Sequence, residues 1–164
     1  MEQRMTTVAV DETGLVAADT QLTAGNYALH VSKLFRMTDG SVITGCGAWS
    51  LIYARIQWHL DGEGGDPPDI RGGDIVIVKP DGTIWVAEGD CPAYPIMDRS
   101  IAIGCGRDLA RSALARGKSA LEAVQEAVGL DCYSGDPVQS MRPCYPSEMP
   151  GLEPAPVTKK NKRA

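Results

Sequence analysis

The chain has 164 residues, of which 43% are hydrophobic and 23% are charged. This length and composition predict a single soluble globular domain that is long enough to bury a proper core. The net charge of −5 argues against nucleic acid as a partner, because no broad basic surface is available to neutralise phosphates. No apolar run approaches the roughly 20 residues needed to span a membrane, so we expect no membrane partner either.

The first half of the chain predicts three hairpins and one helix. Each hairpin consists of two short apolar runs separated by a turn that ends in glycine, at Gly14, Gly40 or Gly82. Between the second and third hairpins, apolar residues at helical spacing predict a helix over 48–60, and a loop rich in glycine, proline and aspartate follows over 61–73. The predicted hairpins pair residues 7–10 with 15–18, 33–37 with 41–44, and 75–78 with 83–86.

The second half is predicted to be mainly helical. A short strand over 101–103 leads into a helix over 107–116, and the capping box Ser119-Ala120-Leu121-Glu122 starts another helix that runs to about Val128. Residues 137–141 make a poor last strand. The segment 146–164 is rich in proline and then basic, which is typical of a solvated, disordered tail. The element order predicts an α+β fold with two antiparallel sheets packed together and covered by helices.

The five cysteines are odd in number, and no pair has the Cys-x-x-Cys spacing of zinc or redox sites. We interpret them as reduced, mostly buried thiols of a cytoplasmic protein, and we expect neither a metal nor a cofactor. The start of the chain also lacks the apolar core of a signal peptide. A cysteine–histidine nucleophile stays open as an alternative, with His30 and His59 as the only histidines.

The sequence Met5-Thr6-Thr7 stands directly before the first predicted strand. A threonine that begins a chain combines a nucleophilic hydroxyl with its own α-amine as the base, and such an amine has a pKa of about 7.7–8.0. Residues 1–5 precede Thr6 here. We therefore expect them to be absent from an active chain, most simply by removal of Met5 from a chain that starts there.

Three further positions beside predicted strand ends and one motif late in the chain follow in the order that one enzyme family shows. Asp19 follows Ala17-Ala18, Lys33 opens the second hairpin, and Gly47 leads into the first helix. Late in the chain comes Asp131-Cys132-Tyr133-Ser134-Gly135. Over roughly residues 5–138 the chain resembles proteasome-type threonine peptidases, which are N-terminal-nucleophile hydrolases. It is most similar to the short HslV-like proteins of bacteria and phages.

The resemblance implies a role for each matched residue. Thr6 matches the nucleophile, although Thr7 is an alternative register, and Lys33 matches a lysine that stabilises charge on the threonine oxygen. Asp19 is expected to pair with Lys33, because a buried unpaired lysine would be costly. Gly47 matches the glycine whose backbone N–H stabilises the oxyanion. The last two matches are Asp131 and Ser134, which are expected to orient the α-amine.

The resemblance also implies the architecture and the partners. The fold would be a four-layer αββα sandwich over residues 6–145, preceded by a leader of residues 1–5. The expected activity is hydrolysis of peptides or unfolded proteins inside a homo-oligomeric ring, with an ATP-dependent unfoldase as a further partner. One departure is Gly104-Cys105-Gly106, where the family has Gly-Ser-Gly. Since a thiol is a weak donor, we expect the amine to be less well positioned.

Two other readings remain open. The chain could be a catalytically inactive scaffold or binding protein that keeps the fold, with Thr6 blocked by residues 1–5. It could also be an amidase of the same nucleophile class that acts on a small molecule.

Overall fold

A computed structural model describes residues 6–131 and 133–149, and this part of the chain has an α+β fold. The strands are β1 (Thr7–Val10), β2 (Val16–Ala18), β3 (Gln21–Ala24), β4 (Tyr27–His30), β5 (Phe35–Arg36), β6 (Val42–Cys46), β7 (Asp74–Val78), β8 (Ile84–Glu88), β9 (Tyr94–Ile96), β10 (Ile101–Gly104) and β11 (Gln139–Met141). The helices are α1 (Trp49–Leu60), α2 (Arg107–Ala115), α3 (Ala120–Leu130) and a 3₁₀ helix (Pro146–Glu148).

The strands form two large antiparallel sheets and one separate hairpin. The first sheet has the order β10-β1-β2-β11, and the second has the order β5-β6-β7-β8-β9. Among the strands of the described residues, β3 and β4 pair only with each other. All three predicted hairpins are present, as β1–β2, β5–β6 and β7–β8, and the α+β class is confirmed.

Both large sheets are covered on two faces, which explains why their strands are almost continuously apolar. In β1, Val8 and Val10 face a core that also contains residues of the second sheet such as Val42 and Val76. Ala9, between them, belongs to a different cluster, since successive strand residues point to opposite faces. Ala9 packs with small residues of α2 and α3, which allow the helices to approach the sheet closely.

Helix α1 covers the outer face of the second sheet. Its residues Ile52 and Ile56 are fully buried against Ile43, Ile75 and Ile77 of that sheet. Helix α3 begins at the predicted capping box: the Ser119 hydroxyl accepts a hydrogen bond from the Glu122 backbone N–H, and the Glu122 carboxylate accepts one from the Ser119 N–H. The predicted helices are confirmed, although α2 ends one residue earlier and α3 continues two residues further.

Three strands, β3, β4 and β9, were not predicted, and β5 is shorter than expected. The hairpin β3–β4 turns at Gly25-Asn26, a two-residue sequence that is itself a hairpin signal. β9 contains Pro95 and lies at the edge of its sheet, where proline is tolerated because no ladder N–H is required there. The prediction that a strand opens at Lys33 is wrong, because β5 starts at Phe35.

Both ends of the predicted domain fall partly outside the described residues. The leader, residues 1–5, lies outside them, and so do residues 150–164 of the predicted tail. The beginning of that tail is ordered, since residues 146–148 form the 3₁₀ helix. The poor last strand predicted over 137–141 is present in part as β11, which pairs with β2 at the edge of the first sheet.

Candidate active site

Lys33 lies at the centre of a buried polar group beside the start of β1. Its ammonium nitrogen is 3.0 Å from the hydroxyl oxygen of Thr6, 3.0 Å from Oδ1 of Asp19 and 2.6 Å from the carbonyl oxygen of Gln21. Lys33 and Asp19 are fully buried, and Thr6 is 3% exposed. The ion pair expected between Lys33 and Asp19 is therefore present, with Thr6 in direct contact with its cation.

Asp19 holds this group in place through the backbone. Its Oδ1 accepts a hydrogen bond from the Thr7 N–H (3.0 Å), and its Oδ2 accepts from the N–H groups of Gln21 and Gly135 (both 3.2 Å). A carboxylate that is withdrawn from water needs such partners to offset its lost hydration. The sequence pattern did not single out Gln21 or Gly135 as its partners, because those bonds come from backbone atoms that any residue type supplies.

Burial lowers the pKa of the Lys33 ammonium, since a charge loses hydration in the interior. The neighbouring carboxylate of Asp19 opposes this effect by its charge and its hydrogen bond. The Lys33 ammonium, paired with Asp19, is held at a defined position 3.0 Å from the Thr6 oxygen. Such an arrangement stabilises negative charge that develops on that oxygen.

A second polar group contains Asp131 and Ser134. The Ser134 hydroxyl donates to Oδ2 of Asp131 (2.7 Å) and lies 2.7 Å from the hydroxyl oxygen of Thr7. Because the serine proton is used by the carboxylate, the Thr7 hydroxyl must be the donor to Ser134. Burial raises the pKa of Asp131, but hydrogen bonds from Cys105, Ser134 and the Tyr133 N–H outweigh it, so the pKa is lowered.

The two groups meet at Thr6 and Thr7. The backbone N–H of Cys105 donates to the Thr6 carbonyl oxygen (2.9 Å), while the thiol donates to Oδ2 of Asp131 (2.8 Å). Of the two adjacent threonines, Thr6 contacts Lys33, whereas Thr7 points its hydroxyl at Ser134. This difference favours Thr6 as the candidate nucleophile.

Gly47 lies at the junction of β6 and α1, with a φ of 139° that favours glycine. A Cβ atom at this position would lie 2.8 Å from Cα of Gly73, so the close approach of that loop also requires glycine. Among the described residues, no hydrogen bond joins Gly47 to the group around Lys33. The structure thus brings Thr6 together with Asp19 and Lys33 and leaves Gly47 outside their hydrogen bonds.

The cysteines differ from the expectation that most of them are buried. Of the four that the structure describes, Cys46 is buried, Cys144 is half-buried, and Cys91 and Cys105 are exposed, and no disulfide joins any two of these four. Cys132 lies outside the described residues. Within the described part of the chain, neither His30 nor His59 bonds to a cysteine thiol, so the geometry does not support a cysteine–histidine nucleophile.

The described residues offer neither a metal site nor a membrane-spanning helix. They contain no cluster of histidine, cysteine and acidic side chains that could hold a metal ion. None of their helices combines the length and the apolar character that crossing a membrane requires.

The fold is shared with a solved bacterial protein. Thiobacillus denitrificans BPH in complex with epoxomicin matches with a TM-score of 0.61 and 19% sequence identity, over 83% of this chain and 96% of that chain. A second structure of Thiobacillus denitrificans BPH matches over the same shares at 19% identity with a TM-score of 0.59. At this identity the likeness shows the fold alone. No protein-family model and no curated protein matches the chain.

Proposed function

We propose that this chain is a threonine-type peptidase whose nucleophile is Thr6 at the start of the processed chain. The proposal rests on one observation, the 3.0 Å contact between the Lys33 ammonium and the Thr6 hydroxyl oxygen, with Asp19 paired to the same ammonium. In our proposal, the two sheets with α1 on one outer face and α2 and α3 on the other form the four-layer sandwich of N-terminal-nucleophile hydrolases. The fold shared with BPH, a protein known in complex with epoxomicin, supports this assignment.

The proposed reaction begins with proton transfer from the Thr6 hydroxyl to the neutral α-amine of the same residue. The hydroxyl oxygen then attacks the peptide carbonyl, and the tetrahedral intermediate collapses to an ester on Thr6 as the amine product leaves with the proton. Water hydrolyses the ester and restores the free hydroxyl. The Lys33 charge lowers the energy of the alkoxide and keeps the nearby amine neutral.

Three further residues complete the proposed mechanism. The Gly47 N–H would stabilise the oxyanion once substrate is bound; loss of one such donor typically costs ~2.7–4 kcal/mol. Asp131 and Ser134 would orient the free amine of Thr6, which in the full sequence is an amide to Met5. Removal of residues 1–5 is therefore a condition for activity.

The proposal extends to the assembly and its surroundings. As its resemblance implies, the peptidase would act on peptides or unfolded proteins within a homo-oligomeric ring in the cytoplasm, with an ATP-dependent unfoldase as the supplier of substrate. We propose no cofactor, and neither nucleic acid nor a membrane as a partner.

The test compares chains that differ only at the N-terminus. A chain initiated at Met5, with its N-terminus verified as Thr6 by intact mass, is expected to hydrolyse fluorogenic peptides and to form a covalent adduct with epoxomicin. The same chain carrying Thr6→Ala should lose both activities, whereas Thr7→Ala should keep a measurable rate. The chain that retains residues 1–5 serves as the blocked control.

The outcomes separate the candidate functions. If a chain that verifiably starts at Thr6 neither cleaves peptides nor forms the adduct, the peptidase proposal is wrong and the inactive scaffold is favoured. If the adduct forms but only small amides are cleaved in a panel of peptides and amides, the chain is an amidase of the same nucleophile class.

A further inference from the structure

The thiol of Cys105 contacts both polar groups of the candidate site. Its Sγ is 2.8 Å from Oδ2 of Asp131, 3.5 Å from the Thr6 carbonyl oxygen and 3.6 Å from the Ser134 hydroxyl oxygen. The backbone N–H of Cys105 already donates to the same Thr6 carbonyl (2.9 Å). Cys105 is thus attached to Thr6 through its main chain and to Asp131 through its side chain.

Asp131 can keep these contacts only while its neighbours supply protons. It accepts hydrogen bonds on Oδ2 from two side chains, the Cys105 thiol and the Ser134 hydroxyl. An ionised carboxylate is an acceptor only, so a thiolate at position 105 would face it as a second anion. The shortest of the three thiol contacts would then change from a hydrogen bond into a repulsion.

We propose that Cys105 is a positioning residue of the Thr6 site, and that its protonated thiol holds Asp131 and Ser134 in place and sets an alkaline limit to the activity. The inference rests on the proposed peptidase function. From the sequence we expected a thiol at this position to weaken the site. In the structure the thiol itself contacts Asp131 and Ser134.

The electrostatic surroundings determine the direction of the effect. Although the residue is exposed, its sulfur is partly withdrawn from water at the Thr6 carbonyl, and this desolvation and the Asp131 carboxylate raise the pKa of the Cys105 thiol, so the thiol stays protonated through the neutral range. The charged groups around it are Asp131, at the end of α3, and the Lys33 ammonium across the site. Arg107 and Asp108 begin helix α2 two and three residues later and are exposed. The free α-amine of Thr6 joins this set in the processed chain.

The sign of the pH dependence follows. Below the ordinary cysteine pKa of about 8.5 the thiol is protonated in every state, and the contact is fully formed. As the pH rises through the higher pKa of the folded protein, the thiolate forms and the contact is lost. The rate should therefore fall on the alkaline side in the wild-type sequence. A serine at this position cannot ionise there and would keep the donor.

The first experiment measures how the rate of epoxomicin adduct formation depends on pH, for chains that start at Thr6. We expect Cys105→Ser to keep the neutral rate within a few-fold and to lose the alkaline decline, and Cys105→Ala to be slower by about tenfold at neutral pH. Cys91→Ser, which removes another exposed thiol, is the matched control and should behave like the wild type. The inference is overturned if the wild type and Cys105→Ser show the same alkaline decline in rate. It is also overturned if Cys105→Ala forms the adduct at the wild-type rate.

A second measurement does not depend on activity. Site-resolved alkylation of Cys105 by iodoacetamide across the pH range reports where its thiolate forms, and Asp131→Asn should move this point to lower pH. If it does not move, the contact between the thiol and Asp131 is not made in solution, and the inference fails. If instead the shift is seen and no chain forms the epoxomicin adduct, the peptidase proposal fails while the thiol–carboxylate contact stands.

Discussion

Lys33 and Asp19 illustrate what single residues contribute to this protein. Both are fully buried, and the Lys33 ammonium lies 3.0 Å from Oδ1 of Asp19. Removing two charges from water costs several kcal/mol for each, so a pair of this kind is weak evidence for stability. Its position beside Thr6 explains its presence better, because it provides a fixed charge at the candidate nucleophile.

We expect removal of the cation alone to be more harmful than removal of both charges. Lys33→Met leaves the Asp19 carboxylate buried without its counter-charge and should lower the free energy of unfolding by about 3–5 kcal/mol. The double variant Lys33→Met, Asp19→Asn should recover part of this loss, while neither variant forms the Thr6 adduct at a measurable rate. Urea denaturation of the single and double variants checks the prediction, and strictly additive effects of the two substitutions would contradict it.

At the scale of elements, the turn between β10 and α2 packs directly on the start of β1. A Cβ atom at Gly104 would lie 1.7 Å from the Thr6 carbonyl oxygen, and one at Gly106 would lie 2.1 Å from the Thr7 hydroxyl oxygen. Both glycines are therefore required by close approach. Gly104 also has a φ of 97°, whereas Gly106 has an ordinary negative φ, so Gly106 isolates the steric effect from backbone strain.

Gly106→Ala should displace the Thr7 side chain from Ser134 and disturb the adjacent Thr6. We expect a loss of about 1–3 kcal/mol in stability, as for other overpacked sites, and a decrease of about tenfold in the rate of adduct formation. Gly129→Ala is the matched control, because Gly129 lies in α3 with no atom within 4 Å of its Cβ position; it should be neutral or stabilising by up to about 1 kcal/mol. Thermal unfolding and adduct kinetics test both variants. If Gly106→Ala changes neither the stability nor the rate of adduct formation, the Thr7 side chain moves freely away from the added methyl group.

Helix α1 carries a buried group that ties neighbouring loops to it. The Arg55 guanidinium is fully buried and donates to the carbonyl oxygens of Pro68, Gly89 and Cys91. Its Nε also donates to Nε2 of His59 (3.3 Å). His59 must then be neutral and use its Nδ1 proton for the Glu63 carboxylate, 2.9 Å away.

This arrangement predicts that acid destabilises the protein. Burial lowers the pKa of His59, and the charge of Arg55 adds to this effect while Glu63 opposes it. The neutral His59 side chain therefore contributes its full stabilisation above the ordinary histidine pKa of about 6.5. This stabilisation is lost as the pH falls through the lower pKa of His59 in the folded state. We expect the free energy of unfolding to decrease on acidification across this range, as measured by urea denaturation. His59→Gln should flatten the dependence of the free energy of unfolding on pH. An equally steep dependence in that variant would show that other groups cause the effect.

At the scale of the whole molecule, the site exists because separate parts of the chain converge on β1. Asp19 follows β2 and Lys33 precedes β5. Asp131 and Ser134 come from the segment after α3, more than 120 residues beyond Thr6. Each large sheet packs on the other over one face and on helices over its second face. The fold thus holds its polar groups at the edge of a common apolar core.

The proposed ring is tested at this scale. A chain that starts at Thr6 should have a native mass several times that of the single 17.5 kDa chain. Native mass spectrometry and light scattering measure it, and adduct formation should be confined to the assembled species. An active monomer would contradict the ring without affecting the proposed chemistry at Thr6.

Much of the fold was predictable because local patterns carry it. The hairpins with turns ending at Gly14, Gly40 and Gly82, and the capping box at Ser119, follow from turn chemistry and capping within a few residues. The hairpin β3–β4 was missed because β4 is exposed and shows no clear alternation, although Gly25-Asn26 is a turn signal. β9 was missed because Pro95 is unusual in a strand.

For the candidate site, the sequence by itself determined the residue types: a threonine, a lysine, and acids and hydroxyls at the ends of predicted strands. Only the tertiary structure decided that Lys33 contacts Thr6 and not Thr7, that Asp19 binds the backbone of Gly135, and that the Cys105 thiol reaches Asp131. The physical reason is that turns and caps depend on neighbours in the chain. A contact of about 3 Å between residues separated by 26 to 116 positions depends instead on how sheets and helices pack.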